Sequence, residues 1–578
     1  MSGRNDITSY SPTPYSPTGR SLTDAVWERA LARPHEPALV ELRDGGADLV
    51  LDRQELVDRA DRTAAVLAWL GVGTGDTVVV QLPNSADFVT VSLAALRLGA
   101  MVCPVLPSLR EHEIAHVLRR SGARVLVVPR AFRRRDRVAE VAAMAAAGRT
   151  GALRHLVVTR GTPPDTHPLV GTAGPGGPYE SSVAVHDLAR SVALAEPLSS
   201  TARPVALPAR HVAHLLFTSG TTGEPKGVPH RMDTLDRAAT LAADRLGLTA
   251  ADRVHIAAPM AHHSGFLYGM WLSLLLGAVQ IVQPVWEAGR ALRAFDDWHG
   301  TFMQGSTPFL LDMVDAVDAG APVPKSLRTF VITGASVPRA VAERARSTLG
   351  VQVCAAWGST ETCMATLSAP GDDPASVAAT DGRPLDGVRL RVTDDAGAAL
   401  GTGREGHLEM TGPCVFDGYL EDGCPGDGCP QDNCPEPHPV AQRDGLTAEA
   451  FTDDGWYRTG DLAVLERTGF LRITGRAKDV INRGGEKIPA GLVEQLMATH
   501  PAVREAAVVG LPDPRLGERA CLFAVVRPGA ELGLSDVQEH LDSHRVTKHY
   551  WPERLEIVDA LPRNPAGKVQ KFLLRERT

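Results

Sequence analysis

Near the start of the chain, segments with apolar residues at helical spacing alternate with short, continuous apolar runs. Between positions 52 and 70 the apolar residues lie three or four residues apart, which predicts an amphipathic helix that ends at Gly71. A second helix is predicted at positions 88–98, ended at Gly99, whereas positions 78–82 and 125–128 form short, largely apolar runs typical of buried strands. Because strands that alternate with helices form parallel sheets, we expect an α/β fold built from layers of mostly parallel sheet and helices.

The pattern changes near residue 479, where a second and smaller α/β unit is expected to begin. Strands are predicted at positions 506–509 and 521–526, and one helix is predicted between them and residue 479. The apolar face of this helix comprises Leu492, Val493, Leu496 and Met497.

These patterns divide the chain into a tail and two domains. Residues 1–20 repeat the sequence Tyr-Ser-Pro-Thr, a composition that cannot bury a core, so we expect them to be disordered. A large N-terminal domain is predicted over residues 21–477, and a small C-terminal α/β domain over residues 478–578.

Composition narrows the classes of function. The 578 residues carry a formal net charge of -8, which gives no electrostatic case for binding nucleic acid or an anionic membrane. No apolar stretch approaches the roughly 20 residues that a membrane-spanning helix needs, and the N-terminus lacks the regions of a signal peptide. Eight cysteines in so long a chain do not suggest a disulfide framework, so a cytoplasmic protein is expected. The basic run at 130–137 is expected to be a solvated face.

The stretch 215–228, LLFTSGTTGEPKGV, combines a short apolar strand with a loop of glycines and hydroxyls. Such a loop can bring backbone N–H groups, hydroxyl donors and one cation to a polyphosphate. The residues concerned are Thr218, Ser219, Gly220, Thr221, Thr222, Gly223 and Lys226. Pro225 stands where a Walker loop has glycine before its lysine, which excludes that motif. A solvated hairpin is the alternative, but this combination of residue types favours phosphate binding.

Two further stretches offer groups suited to a nucleotide. In the sequence WGSTE, Trp357 beside Gly358 either lies flat against a purine or packs in the core. Glu361 and the hydroxyl before it could serve a phosphate and its Mg²⁺, an ion that prefers oxygen ligands. Asp461, in GWYRTGDL, could accept hydrogen bonds from two ribose hydroxyls.

The sequence PMAHHSGFLYG places His262 and His263 before a turn of small residues. Because adjacent side chains of a strand point to opposite faces, we expect one imidazole to line a pocket and the other to pack or to meet solvent. Further on, FVITG predicts a strand that is followed by a tight turn at Gly334, Ala335 and Ser336.

Five motifs together resemble the AMP-forming acyl-adenylate superfamily. They are, in chain order, LFTSGTTGEPKG, WGSTE, GWYRTGDL, GRAKDVINRGGEKI and PRNPAGKVQK. The superfamily includes acyl- and aryl-CoA ligases, carrier-protein adenylation domains and luciferases, and the resemblance extends over roughly residues 21–578. PMAHHSGFLYG resembles the medium-chain or alicyclic acid CoA ligases, whereas INRGGEKI resembles stand-alone aryl-acid activating enzymes.

The resemblance implies a two-step reaction in one site. A carboxylate attacks the α-phosphorus of ATP to give acyl-AMP and pyrophosphate, and a thiol of CoA or of a phosphopantetheinyl arm then displaces AMP. Lys568 is implied to contact the α-phosphate and the carboxylate, Thr360 the α-phosphate, and Glu361 Mg²⁺. The loop from Thr218 to Lys226 is implied to hold the β- and γ-phosphates. Gly334, Ala335, Ser336 and Trp357 are implied to flank adenine, and Asp461 and Arg476 to hold the ribose. Gly358 and Ser359 are implied to be further cofactor-binding residues.

The resemblance also implies a moving C-terminal domain. Lys478 occupies the hinge position, and rotation would replace Lys568 in the site by a face around Gly484 and Gly485 that meets the thiol. His262 and the segment 304–309 are implied to line the acid pocket. Many members have tyrosine where this chain has Trp357, a change that keeps stacking but removes any contact of a phenol hydroxyl.

One segment departs from the family pattern. A Cys/Pro-rich insert at about 421–442 stands where a typical member has a short link. Its potential ligands are Cys424, Cys429, Cys434 and His438, a set that could bind Zn²⁺. The spacing lacks the close cysteine pair of common zinc modules, so a flexible surface loop is the favoured interpretation.

Three functions remain open from the sequence. The first is an ATP-dependent acid–thiol ligase for an aryl, alicyclic or medium-chain acid, with CoA or a carrier protein as the thiol. The second is a diazotase of bacterial secondary metabolism, which would use ATP, nitrite and an aryl amine on the same scaffold. The third is a non-catalytic nucleotide-binding protein, which is disfavoured because Lys568, Glu361 and Asp461 occur together. The acid, the thiol acceptor and the oligomeric state are not fixed by the sequence.

Overall fold

The computed structural model describes most of the chain between residues 21 and 576. The described ranges are 21–159, 183–196, 198, 211–218, 225–333, 339–420, 445–477, 481–483, 486–488, 490–513, 516–544, 546–563 and 569–576. The tail at 1–20 and the insert at 421–442 lie outside them, so the expectations of disorder and of a surface loop stay predictions.

The strands of the described residues are numbered in chain order. They are β1 (Pro37–Glu41), β2 (Leu49–Asp52), β3 (Thr77–Val80), β4 (Met101–Pro104), β5 (Val125–Pro129), β6 (Ala131–Phe132), β7 (Arg135–Asp136), β8 (His155–Thr159), β9 (Ala184–Asp187), β10 (Val212–Thr218), β11 (Lys226–Arg231), β12 (Arg253–Ile256), β13 (Val279–Val282), β14 (Phe302–Gly305), β15 (Thr329–Ile332), β16 (Gln352–Ser359), β17 (Cys363–Leu367), β18 (Arg383–Pro384), β19 (Arg389–Thr393), β20 (Glu405–Thr411), β21 (Tyr457–Leu465), β22 (Leu471–Arg476), β23 (Ile481–Arg483), β24 (Glu486–Ile488), β25 (Val503–Asp513), β26 (Gly517–Val526) and β27 (Arg554–Ile557).

The helices follow the same order. They are α1 (Leu22–Ala32), α2 (Arg53–Trp69), α3 (Ala86–Arg97), α4 (Glu111–Ser121), α5 (Arg137–Ala146), α6 (Leu188–Leu194), α7 (Met232–Leu246), α8 (His263–Gly265), a π-helical stretch (Phe266–Trp271), α9 (Leu272–Leu276), α10 (Ala288–Trp298), α11 (Thr307–Asp318), α12 (Arg339–Leu349), α13 (Pro374–Ala379), α14 (Gly445–Ala450), α15 (Ala490–Met497), α16 (Leu534–Ser543), a single 3-10 turn (Lys548–Tyr550) and α17 (Lys571–Arg575).

Two large sheets form the body of the fold. One has seven strands in the order β11-β10-β4-β3-β5-β8-β9, and its pairs are parallel except for β10 with β11. The other has nine strands in the order β18-β17-β16-β15-β14-β12-β13-β1-β2, with antiparallel pairs confined to its two ends. The predicted α/β class with layers of mostly parallel sheet is therefore confirmed.

Helix α2 confirms the first helical prediction closely. The Asp52 side chain accepts a hydrogen bond from the backbone N–H of Glu55 at 2.8 Å, and the Glu55 carboxylate accepts from the N–H of Asp52 at 3.0 Å. This reciprocal cap fixes the start of the helix. Gly71, with a φ of 83°, follows its end, in the left-handed region that glycine enters without strain.

Helix α3 packs against β3 and β4 of the seven-stranded sheet and against β1 of the nine-stranded sheet. Its residues are buried on every side apart from Asp87 near its start. A helix that is buried all round needs no polar face, which explains why its sequence is almost continuously apolar. The main hydrophobic core is therefore shared between the two sheets.

The remaining sheets are smaller and mainly antiparallel. Strands β19 to β22 form a four-stranded sheet, and β23 to β27 form a five-stranded sheet near the C-terminus. The strands predicted at 506–509 and 521–526 lie inside β25 and β26, so both predictions are confirmed. Helix α15 buries Ala490, Val493 and Met497 but leaves Leu492 exposed, so the predicted apolar face was wrong at that residue.

Two further findings concern the surface. Arg137, expected in a solvated basic run, is 2% exposed and makes an ion pair with Glu140 at 2.8 Å. The expectation was wrong there because Arg137 begins α5 and its guanidinium reaches the segment before α4, where it donates to the carbonyl of Leu109 at 3.2 Å. Among the described residues, no helix has the length and apolar character needed to cross a membrane.

Candidate active site

The glycine-hydroxyl loop connects two antiparallel strands, β10 and β11. Thr218 at the end of β10 lies directly opposite Lys226 at the start of β11. The Thr218 hydroxyl donates to the carbonyl of Lys226 at 3.4 Å, and His116 contacts the carbonyl of Pro225 at 2.8 Å. This pairing holds the two ends of the loop together and places one hydroxyl and one ammonium group at its base.

Lys226 and Glu361 are connected through Tyr419. The ammonium nitrogen of Lys226 lies 4.6 Å from the centre of the Tyr419 ring, a cation–π distance. The Tyr419 hydroxyl donates to Oε1 of Glu361 at 3.1 Å. A backbone hydrogen bond also joins the segment of Tyr419 to β11, since the N–H of Leu420 donates to the carbonyl of Gly227 at 2.8 Å. The predicted phosphate loop and the predicted Mg²⁺ ligand therefore belong to one site.

The WGSTE segment leaves β16 through a tight turn. Gly358 approaches the backbone so closely that a Cβ there would lie 1.9 Å from the carbonyl oxygen of Cys363, which excludes any side chain. The N–H of Ser359 donates to the Thr362 hydroxyl at 2.8 Å. His230 of β11 contacts the carbonyl of Thr360 at 2.7 Å through Nε2. The turn that carries Thr360 and Glu361 is thus fixed from both sides.

Trp357, Asp461 and Arg476 form a second group beside this turn. Asp461 on β21 lies directly opposite Arg476 on β22, and Arg476 Nε is 2.8 Å from Asp461 Oδ1. The indole N–H of Trp357 donates to Asp461 Oδ2 at 3.0 Å. Asp461 is 3% exposed and Trp357 is 9% exposed, so the tryptophan is part of the core while its nitrogen meets the acidic group.

His262 and His263 lie at the start of a helix, not on a strand. His262 precedes α8, which passes into the π-helical stretch, a distortion often found at functional sites. Nε2 of His262 and both ring nitrogens of His263 are buried, and none has a hydrogen-bond partner among the described residues. Burial lowers the pKa of His262 to about 4. His263 packs against the rings of His230 and His214, and the pocket position expected for His262 stays a prediction.

The ends of β14 and β15 lie next to these histidines. Helix α8 packs on β14, and the Ser264 hydroxyl lies 3.3 Å from that of Thr333, which follows β15. The segment 304–309 begins at the end of β14 and enters α11. Three of its polar atoms are buried without a partner among the described residues: Gln304 Oε1, Ser306 Oγ and Thr307 Oγ1. These groups gather at the carboxyl ends of parallel strands, the usual place for a ligand in such sheets.

Comparison with known families agrees with this arrangement. The AMP-binding enzyme family matches residues 26–420, and the C-terminal domain of AMP-binding enzymes matches residues 492–568. The chain belongs to the AMP-binding enzyme family. The acyl-adenylate resemblance seen in the motifs is thereby confirmed.

Individual relatives of this AMP-binding enzyme cover nearly its full length. It is 31% identical to the medium-chain fatty-acid–CoA ligase of Escherichia coli (strain K12), over 96% of this chain and 90% of the relative. It is 33% identical, with the same coverage, to the salicyl-AMP ligase / salicyl-S-ArCP synthetase of Mycobacterium tuberculosis. Its fold matches ATP-bound MatB from Rhodopseudomonas palustris with a TM-score of 0.78, 26% identity and coverage of 96% and 99%.

This AMP-binding enzyme is therefore an AMP-forming ligase of the acid–thiol type. The diazotase alternative gains no support from these relatives, which are named for acid activation. A non-catalytic binding protein is likewise disfavoured by their names.

Part of the predicted site of this AMP-binding enzyme lies outside the described residues. The residues concerned are Ser219, Gly220, Thr221, Thr222, Gly223, Gly334, Ala335, Ser336, Lys478, Gly484, Gly485 and Lys568, together with the insert residues Cys424, Cys429, Cys434 and His438. Their roles stay predictions. The described members fall into three contiguous groups, around Lys226 and Glu361, around Asp461, and around His262.

Sequence reasoning missed two tyrosines of the AMP-binding enzyme site. Tyr419 and Tyr457 are hydrogen-bonded to each other, and burial followed by the nearby Glu361 carboxylate raises the pKa of both phenols. Both stay neutral donors at physiological pH, which suits a hydroxyl that faces a carboxylate. Tyr457 lies within the GWYRTGDL motif, four positions before Asp461, and this proximity in sequence could have indicated that it belongs to the site. Tyr419 gave no comparable signal, because nothing in the sequence joins it to Glu361.

Proposed function

We propose that this enzyme converts a carboxylic acid, ATP and a thiol into an acyl thioester, AMP and pyrophosphate, with acyl-AMP as the intermediate. The acid is aryl, alicyclic or medium-chain, and the thiol is CoA. The observation that carries the proposal is the meeting of Lys226 and Glu361 across Tyr419, beside the ion pair of Asp461 and Arg476. This arrangement supports a single site in which Lys226 would meet phosphates, Glu361 a metal ion and Asp461 the ribose.

In the first step, an oxygen of the acid forms a bond to the α-phosphorus. The bond between that phosphorus and the pyrophosphate oxygen breaks, and the electron pair leaves with pyrophosphate. Negative charge builds up on the phosphate oxygens, so fixed cations and N–H groups lower the barrier. Lys226, held at the base of the loop, would neutralise the β- and γ-phosphates. Lys568 would stabilise the charge that develops at the α-phosphate.

The residues around Glu361 fit a magnesium ion. The carboxylate is half-buried, and its side-chain partner in the described structure is the neutral hydroxyl of Tyr419. A carboxylate without a paired cation in a partly enclosed site is the oxygen donor that Mg²⁺ prefers. When bound, Mg²⁺ supplies positive charge to the phosphate oxygens. Glu361 would hold it, and the fixed turn at Thr360 would set its position.

The group around Asp461 would hold the nucleoside. Its carboxylate is already oriented by Arg476 on one oxygen and by Trp357 on the other. A carboxylate held in one orientation binds ribose hydroxyls without a further entropy cost for its own side chain. Trp357 lies on the same strand as Ser359, so adenine would be placed at the WGSTE segment and the predicted turn at 334–336.

In the second step, the sulfur of the thiol forms a bond to the acyl carbon. The bond from that carbon to the phosphate oxygen breaks, AMP leaves with the electron pair, and the thiol proton is released. The C-terminal domain, residues 478–578, would rotate about Lys478 between the steps. Lys568 would then leave the site, and the face around Gly484 and Gly485 would meet the thiol.

The acid pocket would lie at the ends of β14 and β15, lined by His262 and the segment 304–309. Buried polar atoms without partners, among them Gln304 Oε1 and Ser306 Oγ, cost free energy until a ligand satisfies them. This favours an acid that carries a hydrogen-bonding substituent, such as a hydroxylated or aminated aryl acid. A site built to bind such a group rejects the unsubstituted analogue strongly.

Pyrophosphate release measured with a panel of acids tests the proposal. Activity is expected with ATP, Mg²⁺ and an aryl, alicyclic or medium-chain acid, and acyl-CoA is expected when CoA is added. Paired acids that differ by one hydroxyl or amino group test the polar pocket. A parallel panel of nitrite with aryl amines is expected to be silent. Turnover in that panel, with none for acids, would overturn the proposal.

A carrier protein is the alternative thiol. One relative, from Mycobacterium tuberculosis, is named for both salicyl-AMP formation and transfer to a carrier protein. Acyl-AMP that forms without any acyl-CoA product, but loads a phosphopantetheinylated carrier protein, would assign that acceptor. Mass spectrometry of the CoA fraction and of the carrier protein distinguishes the two products.

A further inference from the structure

Three imidazole rings lie together beneath the Thr360 turn. The ring centre of His263 lies 4.8 Å from that of His230 and 5.4 Å from that of His214. Phe266 stacks on His214 at 4.0 Å between ring centres. His214 and His230 are 0% and 1% exposed. Such a cluster of buried rings is costly unless their nitrogens have partners.

Most nitrogens of this cluster have none among the described residues. His230 uses Nε2 on the carbonyl of Thr360, but its Nδ1 is buried and unpartnered. Both nitrogens of His263 are also buried and unpartnered. Apolar burial alone does not explain such groups, whereas a bound ion does.

Cys363 completes the group. It is 2% exposed, and its Sγ and one nitrogen each of His230 and His263 all lie within 4.8 Å of one another. Its backbone has a φ of 52°, a left-handed conformation that is uncommon for a side chain other than asparagine, aspartate or glycine. The turn from Ser359 to Cys363 holds it there and directs the thiol to the two rings.

We propose that His230, His263 and Cys363 form a binding site for a borderline-soft divalent cation of the Zn²⁺ type. Two imidazole nitrogens and one thiolate are the donor set that Zn²⁺ prefers, and Mg²⁺ does not use it. His230 already shows the arrangement of a metal ligand, because its second nitrogen is held by a backbone carbonyl. A tetrahedral ion holds such donors about 3.3–3.8 Å apart, so the side chains close by about 1 Å when it binds. Binding releases the thiol proton of Cys363, and a water molecule takes the fourth position.

The site is distinct from the proposed Mg²⁺ position at Glu361. It joins β11, the start of α8 and the first residue of β17. The ion would therefore fix the turn that carries Thr360 and Glu361 from below, and its expected effect is to stabilise that turn. Since it needs no bound acid or nucleotide, it does not depend on the proposed function.

Metal binding by the full-length chain tests the site. The background variant C424S/C429S/C434S removes the insert cysteines, which are the competing zinc ligands. Purified background protein, stripped of metal and dialysed against Zn²⁺, is expected to retain one equivalent by mass-spectrometric metal analysis. Its melting temperature is expected to rise with Zn²⁺ and to be unaffected by excess Mg²⁺.

Two single substitutions in that background locate the ion. Cys363→Ser is expected to weaken Zn²⁺ binding by at least about tenfold, the loss typical of even an outer-shell change. Cys521→Ser, at a buried cysteine of β26, is the matched control and is expected to bind as the background does. Co²⁺ added to the background is expected to give the charge-transfer absorption of a cobalt–thiolate bond. That absorption decides the matter if Cys363→Ser fails to fold, since it requires no substitution at the site.

The proposal is overturned by either of two results. One is a background protein that retains no stoichiometric Zn²⁺ and shows no cobalt–thiolate absorption. The other is a folded Cys363→Ser variant that binds Zn²⁺ as tightly as the Cys521→Ser control.

Discussion

The indole N–H of Trp357 donates to Oδ2 of Asp461 at 3.0 Å, across 104 positions of sequence. The other carboxylate oxygen of Asp461, Oδ1, forms an ion pair with Nε of Arg476 at 2.8 Å. Many members of the family have tyrosine at the position of Trp357. In this chain the indole nitrogen of Trp357 orients the carboxylate of Asp461, which is the proposed ribose ligand. Trp357 is accordingly both a core residue and a positioning residue.

Trp357→Phe is expected to impair ATP use selectively. The ring is retained but the hydrogen bond to a charged group is lost, at a cost of about 1.5–3 kcal/mol, or roughly 10- to 100-fold in kcat/KM for ATP. The KM for the acid is expected to change little. Steady-state pyrophosphate release with each substrate varied in turn separates the two parameters.

Trp298→Phe is the matched control for that substitution. It removes a comparable indole bond, from Trp298 to Asp48 at 2.8 Å, at the end of α10. Its kinetics are expected to stay at the wild-type values. An unchanged kcat/KM for ATP in Trp357→Phe would contradict the positioning role.

Glu361→Gln is expected to reduce adenylation by about 100- to 1000-fold, because a neutral amide oxygen binds a divalent cation much more weakly than a carboxylate does. The concentration of Mg²⁺ needed for half-maximal rate is expected to rise as well. Tyr419→Phe is the control, since it leaves the carboxylate and the ring over Lys226 in place. It removes one hydrogen bond, so the adenylation rate is expected to fall by tenfold or less. If Glu361→Gln showed the same dependence on Mg²⁺ concentration as the wild type, the assignment of Glu361 as the Mg²⁺ ligand would be refuted.

Lys568→Ala is expected to lose adenylation by about 100- to 1000-fold and to retain most of the thiol transfer from supplied acyl-AMP. The reason is that the proposed role of Lys568, at the α-phosphate, belongs to the first step alone. Rapid-quench measurement of each half-reaction checks this. Lys571→Ala, which breaks an ion pair with Glu494 in the same region, is the control and is expected to leave both half-reactions intact. Equal losses in the two half-reactions of Lys568→Ala would refute the division of labour.

Acidification is expected to destabilise the folded chain below about pH 6.5. Burial lowers the pKa of several histidines, and the five with the most deeply buried rings are His214, His230, His255, His262 and His263. The unfolded chain binds a proton at each near pH 6.5, whereas His255 in the fold binds one only near a pKa of about 4. Stability is therefore complete above the unfolded value and falls as the pH drops, by about 1.4 kcal/mol per pH unit for each histidine.

His255→Gln isolates one of these contributions away from the proposed site. His255 contacts Gln283 at 2.9 Å, and glutamine keeps a polar group there. In urea unfolding, the free energy of unfolding lost between about pH 7.5 and about pH 5.5 is expected to be smaller than that of the wild type by about 1.4 kcal/mol in total, because one pH unit of this interval lies below the unfolded pKa. His112→Gln, at an exposed position of α4, is expected to keep the wild-type slope. The same reduction in both variants would argue against burial as the cause.

Local features were predictable from sequence because their causes are local. The cap at Asp52 and the stop at Gly71 follow from side-chain chemistry within one turn of the chain. The parallel sheets were predictable because the strands and helices that alternate along the chain are each visible in the local spacing of apolar residues. The motif residues Thr218, Lys226 and Asp461 were recognisable because their types and spacing are specific.

Contacts between distant segments could not be predicted in this way. Tyr419 meets Glu361 across 58 positions, and no periodicity links them. Arg137 looked solvated because its neighbours are basic, but burial depends on which surface α5 covers. Leu492 fitted an apolar stripe, yet the stripe of α15 that faces the sheet is set by β25 and not by its own pattern. Tertiary packing decides each of these cases.

The burial of five cysteines has a practical consequence for labelling. Cys103, Cys354, Cys363, Cys414 and Cys521 are all enclosed by the fold, so a thiol dye is expected to spare them in the native chain, which leaves Cys424, Cys429 and Cys434 as the candidate positions in the sequence. Cys424 stands four positions after Leu420, whose N–H is bonded to Gly227 beside the phosphate loop, and four residues reach at most about 14 Å. With Cys429 and Cys434 replaced by serine, a fluorophore at Cys424 is attached within that reach of Leu420, and its emission is expected to report the arrival of a nucleotide without any residue of the proposed site being altered.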